Sequence, residues 1–145
     1  MEKLSFTLAM ALVLVLGACT ATKKATAYDK MTGNSWQLEY ITGVRIAFEG
    51  LYPEQKPQLS FNQKTQEVNG NTSCNPFSTN YTAKDPNFIK IEAPKAMTMR
   101  FCEGEGEKRF LDMLQKINKY DVTPDGKLVL LMDDIVAMRF IKKID

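Results

Sequence analysis

The residues that could do chemistry in this chain are its three cysteines, Cys19, Cys74 and Cys102, and the methionines just ahead of the last of them. Histidine is absent, so no Ser-His-Asp triad, Cys-His pair or imidazole metal ligand can form. Met97, Met99 and Cys102 spell Met-x-Met-x-x-Cys, a pattern of soft ligands for Cu(I) that Met132 or Met138 could complete. Alternation, however, puts Met97 and Met99 on one face of a strand, where methionines commonly fill core space, and packing is the role expected of them. Asn75, with Asn69, Asn71 and Asn80 nearby, could form a polar ligand-contact cluster, or could hold turns through side-chain bonds to backbone, the commoner use. Arg100, between apolar neighbours on the expected strand, should point outward. Glu103, Glu105 and Glu107 read as loop and helix-start charge, with no enclosed carboxylate pair for acid-base work. No Ser-x-x-Lys, phosphate-binding glycine loop or EF-hand pattern occurs. The expectation is a protein that is not an enzyme and that carries no cofactor or metal.

Cys19 stands apart from the other two cysteines. It follows Lys3 and an apolar run from Phe6 to Leu16, too short to span a bilayer comfortably. Leu16-Gly17-Ala18-Cys19 resembles the bacterial lipobox, whose cysteine is acylated and becomes the new N-terminus; residues 1–18 are then a lipoprotein signal peptide. Residues 19–32 are small, polar and aperiodic, a flexible tether from the lipidated Cys19. Thr20 is not the aspartate associated with inner-membrane retention, and no acidic export run follows. The expected location is the outer membrane of a bacterial envelope, lipid-anchored on the periplasmic side. In that oxidising compartment a disulfide is the simplest account of Cys74 and Cys102; two buried thiols, or a redox-active or metal-binding pair, are the alternatives.

The elements that must position these residues are mostly strands. Trp36, Leu38 and Tyr40 share a face, and so do Val44, Ile46 and Phe48, Leu59 and Phe61, Leu128, Leu130 and Met132, and Val136, Met138 and Phe140. Thr123-Pro124-Asp125-Gly126 should connect one hairpin and Asp133-Asp134 the last. Glu105–Tyr120 is the single expected helix, with Phe110, Leu114 and Ile117 on one face. About eight strands with one helix favour a mainly β (α+β) fold, a small antiparallel barrel of lipocalin-like topology. Residues 49–58, with Gly50, Pro53 and Pro57, form the longest expected loop. With 19 Lys and Arg against 17 Asp and Glu, the net charge of +2 makes no field for nucleic acid.

Ser35-Trp36-x-Leu38, Pro57-x-Leu59-x-Phe61, Gly70-x-x-x-Cys74-Asn75-x-Phe77-x-x-x-Tyr81, Thr98-x-x-x-Cys102 and Glu107-x-x-Phe110-Leu111-x-x-Leu114 follow one another in the chain. This order resembles the META domain of HslJ-type envelope lipoproteins, over residues 33 to 142, within a domain reading of 33–145. Ser73 stands where the family usually has a glycine before Cys-Asn, and Thr79 where it has one after Phe77-Ser78. The resemblance implies a small antiparallel barrel with one helix and a role in envelope stress physiology, and it implies no catalytic residues. The function expected is a monomeric, non-enzymatic binding module in envelope stress tolerance. The alternatives are a carrier or sensor of a small apolar ligand inside the barrel, and an inhibitor or accessory subunit that presents the 49–58 loop to an envelope enzyme. Asn75, Tyr52 and Arg100 are the candidate ligand or partner contacts.

Overall fold

The computed structural model describes residues 24–84 and 86–144. The signal segment, Cys19 and the first part of the tether lie outside the described residues.

Among the described residues there are nine strands, β1 Ser35–Ile41, β2 Gln58–Asn62, β3 Glu67–Asn71, β4 Pro76–Lys84, β5 Phe88–Ile91, β6 Ala96–Met97, β7 Lys119–Val122, β8 Leu128–Met132 and β9 Ile135–Lys142, and β1, β2, β5 and β7 bury every second side chain most regularly. Every pairing is antiparallel, in the order β3-β2-β1-β9-β8-β7-β5-β4-β6. A further β3–β4 pairing, from Glu67↔Asn80 to Asn71↔Pro76, joins β3 at one end of that order to β4, the last strand but one, and closes the strands into a ring. β6 pairs with β4 at Phe77 and Ser78, beyond the Tyr81–Lys84 stretch taken by β5, so it continues the course of β5 after a break. Closing the ring pairs edges that would otherwise be open. β5 and β7 meet at one register pair, Phe88↔Lys119, flanked by backbone bonds from Ile89 to Asn118 and from Tyr120 to Asn87.

The core is filled by large side chains. Trp36, Leu38, Phe110, Leu128, Leu130, Met138 and Phe140 are fully buried, and Phe61, Phe77 and Tyr81 nearly so. Phe61 and Tyr81 meet edge to face at 5.2 Å. Gly70 is needed where β2, β3 and β4 meet, because a Cβ there would lie 2.6 Å from both the Gln58 carbonyl oxygen and the Phe77 ring. The hairpin connections fall where expected: Gly126 turns at φ +82° between β7 and β8, and Asp133 at φ +57° between β8 and β9.

Two expectations about helices are corrected. The main helix, α3, spans Gly106–Leu114 and is shorter than Glu105–Tyr120, because Lys119–Tyr120 is claimed by β7 and Ile117 reaches the core from the turn between them. Among the described residues two short helices precede it, α1 at Ala27–Thr32 and α2 at Phe48–Leu51. α1 lies inside the stretch read as tether. A capping box holds it, with the Asp29 N–H donating to Thr26 Oγ1 at 3.1 Å and the Thr26 N–H donating to Asp29 Oδ2 at 2.9 Å. Its Met31 is fully buried, and the Trp36 indole N–H donates to the Met31 carbonyl at 2.8 Å, which fastens α1 to β1.

One ion group braces the outside of the sheet. Glu39 Oε1 on β1 accepts from Lys127 Nζ at 2.8 Å and from Arg139 Nε on β9 at 2.6 Å. The bond from Lys127, followed by that from Arg139, holds the Glu39 carboxyl below its ordinary range against the opposing effect of burial. A depressed folded-state pKa means this stabilisation is fully present above the ordinary value of 4.5 and is lost as pH falls through the lower folded value. Both cations are more than a third exposed, so solvent screening limits the contribution to about 1 kcal/mol or less. Glu39→Gln should therefore lower the urea midpoint slightly at pH 7 and by less at pH 3 relative to wild type. An equal deficit at both pH values would show that packing, not charge, is what the substitution disturbs.

Candidate functional site at the Cys74–Cys102 corner

The polar residues singled out from sequence converge at one end of the ring, where the β3–β4 turn, the segment after β6 and the start of α3 meet. Cys74 and Cys102 are joined as a disulfide, with Cα atoms 6.0 Å apart. Asn75 beside it is only 1% exposed, and its side chain uses both ends. The amide nitrogen donates to the Arg100 carbonyl at 2.9 Å and to Glu107 Oε2 at 3.0 Å, and it lies 3.0 Å from Cys102 Sγ. The amide oxygen accepts from Thr98 Oγ1 at 2.7 Å and from the Arg100 N–H at 2.9 Å. Asn75 thus replaces a strand partner for residues 98–100, which is the turn-holding use of asparagine rather than the ligand-contact use.

Two further residues, Thr72 and Glu107, complete the corner. Thr72, fully buried, donates its hydroxyl to Glu107 Oε2 at 2.5 Å and accepts the Asn75 N–H at 3.0 Å. Glu107 is more than helix-start charge, since its carboxylate lies against Thr72 and Asn75 and close to both sulfurs; one oxygen and the two Sγ atoms all lie within 4.8 Å of one another. The sequence signal for Thr72 was its place three residues before Asn75, a spacing at which a threonine hydroxyl can cap a turn.

Ser73 carries the strain of this turn, at φ +91°. The left-handed half of backbone space suits glycine, the residue usual there in the resembling family. Ser73→Gly should therefore stabilise the folded state, by about 0.5–1 kcal/mol less the entropy glycine adds to the unfolded chain. A urea midpoint equal to or below that of wild type would show that the Ser73 turn is unstrained. At the other departure, Thr79 is buried and donates its hydroxyl to the Ala93 carbonyl at 2.6 Å, tying the break between β5 and β6 to β4.

The remaining candidates move from their expected places. Tyr52 is 3% exposed and belongs to the core. Its hydroxyl donates to the Gly106 carbonyl at 3.1 Å, and burial pushes its pKa up to about 12. It packs where Gly106 has no side chain; a Cβ there would fall 2.8 Å from the Tyr52 ring and closer still to the Leu51 carbonyl oxygen. The solvent-facing residues of the 49–58 segment are Glu49, Gly50 and Pro53–Gln55. Arg100 does face outward, yet its guanidinium donates to the Cys74 carbonyl at 2.8 Å. Met99 is 86% exposed instead of filling core space, and neighbouring Phe101 is 89% exposed, because the strand ends at Met97. Met97 and Met99 therefore do not share a core-facing side, and Cys102 has its sulfur in a disulfide, so the Met-x-Met-x-x-Cys copper pattern is not assembled.

Between these pieces lies an open cleft of about 350 Å³. Leu51 and Pro53 form one wall and the Arg100–Glu103 segment the other, with the disulfide and Glu107 at its side.

The comparisons with known proteins agree with this architecture. Residues 29–145 match the family model described as META domain. An NMR structure of a protein from Burkholderia xenovorans is similar, with TM-score 0.60 and 20% identity over 82% of this chain and 88% of that one. The crystal structure of a duf4847 family protein from Bacteroides vulgatus is similar at TM-score 0.50 and 9% identity, covering 76% of this chain and 91% of that one. At these identities the likeness concerns the fold. Among curated proteins none matches this chain. A family match that starts inside α1 and runs through every strand settles the affiliation: the chain belongs to the META domain family.

Proposed function

We propose that this is a non-enzymatic, lipid-anchored protein of the bacterial envelope, whose META domain is a small barrel-like binding module acting in envelope stress tolerance. The observation that carries the reading is the division of labour among the three cysteines. Two are tied to each other within the domain, which leaves Cys19, at the end of Leu16-Gly17-Ala18-Cys19, for acylation. An oxidised pair also suits a compartment outside the inner membrane. The first 18 residues then act as the signal and the outer membrane is the destination. Binding through the surface, and not through an interior ligand, is supported by the tightly filled core: Trp36, Phe61, Phe77, Phe110 and Phe140 occupy the space a lipocalin-like carrier would leave for its cargo.

The test is metabolic labelling with a radioactive fatty acid in a Gram-negative host producing the full chain or its Cys19→Ser variant, followed by separation of inner and outer membranes. Label and outer-membrane recovery that both vanish with Cys19→Ser are expected. An unlabelled wild-type chain in the soluble periplasmic fraction would overturn the anchor. Native mass spectrometry of gently extracted protein separates the binding modes, since a discrete apolar adduct beyond the acyl chains would replace the surface reading with a carrier.

A further inference from the structure

We infer that the Cys74–Cys102 corner is a redox-gated site for a divalent zinc-class metal ion, formed by Cys74, Cys102 and Glu107 once the disulfide is reduced. The donors are two sulfurs and one carboxylate oxygen, all within 4.8 Å of one another and each only partly buried. Two thiolates with a carboxylate suit a borderline-soft tetrahedral ion, which needs ligands at about 2.0–2.3 Å and accepts water or another ligand in an open fourth position. The cleft supplies that opening, and Glu54 and Glu103 on its walls favour the approach of a cation.

The surroundings resemble an outer shell for such an ion. Asn75 Nδ2 lies 3.0 Å from Cys102 Sγ, 3.7 Å from Cys74 Sγ and 3.0 Å from Glu107 Oε2, so one buried amide faces all three donors. Thr72 Oγ1 holds the same carboxylate oxygen at 2.5 Å. Partners of this kind fix ligand orientation, and the positive end of an amide dipole beside sulfur favours thiolate over thiol. Asn75 and Thr72 are themselves held by the β3–β4 turn, and Glu107 by α3, so the donors stay close when the sulfur–sulfur bond opens.

The steps balance. A dithiol reductant transfers two electrons and two protons to the disulfide, the sulfur–sulfur bond breaks to two thiols, and the reductant becomes a disulfide. The metal ion then displaces the two thiol protons to solvent and gains the Glu107 carboxylate. In the reverse direction an oxidised dithiol compound takes the two electrons by thiol–disulfide exchange and leaves as its dithiol, the sulfur–sulfur bond re-forms, and the ion is expelled because a disulfide offers no thiolate. This reading is independent of lipid anchoring and requires only the folded domain.

The experiment uses the full chain with Cys19→Ala, so that two thiols remain, reduced with a phosphine that is then removed, and titrated with cobalt(II) as the probe ion. The expected result is a thiolate-to-cobalt charge-transfer band and tetrahedral visible bands that saturate at one equivalent and are displaced by zinc. Oxidised protein should show neither. Cys74→Ser should abolish tight binding, and Glu107→Gln should keep the charge-transfer band but weaken affinity about tenfold. Near-UV circular dichroism of Trp36 reports whether the reduced protein is folded. The inference is overturned by a folded reduced protein without the charge-transfer band, by Glu107→Gln titrating like its parent, or by loss of the Trp36 signal on reduction, which would mean that the fold cannot hold the site open.

Discussion

Asn75→Ala is expected to lower the free energy of unfolding by about 3–5 kcal/mol, a third or more of what a domain of this size commonly possesses. The size follows from how many groups the side chain serves. Truncation removes the acceptor of Thr98 Oγ1 and of the Arg100 N–H, and the donor to the Arg100 carbonyl and to Glu107. A buried group left unpaired costs about 1–3 kcal/mol, and partial access of water to the 98–102 segment keeps the total below the simple sum. Asn75→Asp should be at least as damaging despite its shape, because it turns the donor into a second anion beside Glu107. Chemical denaturation followed by Trp36 fluorescence measures both. A loss under about 1 kcal/mol for Asn75→Ala would mean that water replaces the side chain and that the corner is not organised by it.

The second large effect is expected from the cross-link. Cys74→Ala with Cys102→Ala should cost about 3–4 kcal/mol, since the disulfide closes a loop of 28 residues' separation whose freedom in the unfolded chain would be restored. The double substitution leaves no unpaired thiol in the domain, which keeps the measurement free of reshuffling. Urea unfolding should show the lower midpoint together with a larger m-value, because an uncrosslinked denatured chain exposes more surface. An unchanged midpoint would place the stability of this corner in the Asn75 hydrogen bonds alone. Because the bridge and Asn75 hold the same segment, the triple variant should lose less than the sum of the two effects.

Most strands were legible because one buried face imposes period two, as along Ser35–Ile41 and Gln58–Asn62, whereas Val44, Ile46 and Phe48 alternate in the same way yet form no strand, and Phe48 opens α2. α1 was not legible, since Ala27-Tyr28-Asp29-Lys30-Met31-Thr32 offers one deeply buried apolar anchor, and its remaining support is a capping box, a local signal easily lost among small polar residues. Residues 98–102 misled for the opposite reason. Met97 and Met99 keep a strand-like alternation, but residues 98–100 bond to an asparagine side chain 23 to 25 positions earlier, which no local pattern reveals. Tyr52 shared that fate: a neighbourhood with Gly50, Pro53 and Pro57 suggests a surface loop, while its burial depends on Gly106, distant in the chain. The Cys-Asn pair was visible as a motif, and its meeting with Thr72 and Glu107 was not, because that meeting is set by how the β3–β4 turn abuts the start of α3.

The docking of α1 shortens the leash. If the chain hangs from an acylated Cys19, the stretch left to span the gap to the folded body is residues 20–26, at most about 25 Å when fully drawn out, instead of nearly twice that for a tether running to residue 32. A body so closely moored would sweep a shell no deeper than that leash allows above the lipid surface. It could greet molecules embedded in or lying on that same membrane, while anything positioned deep in the periplasmic gap would have to come to it.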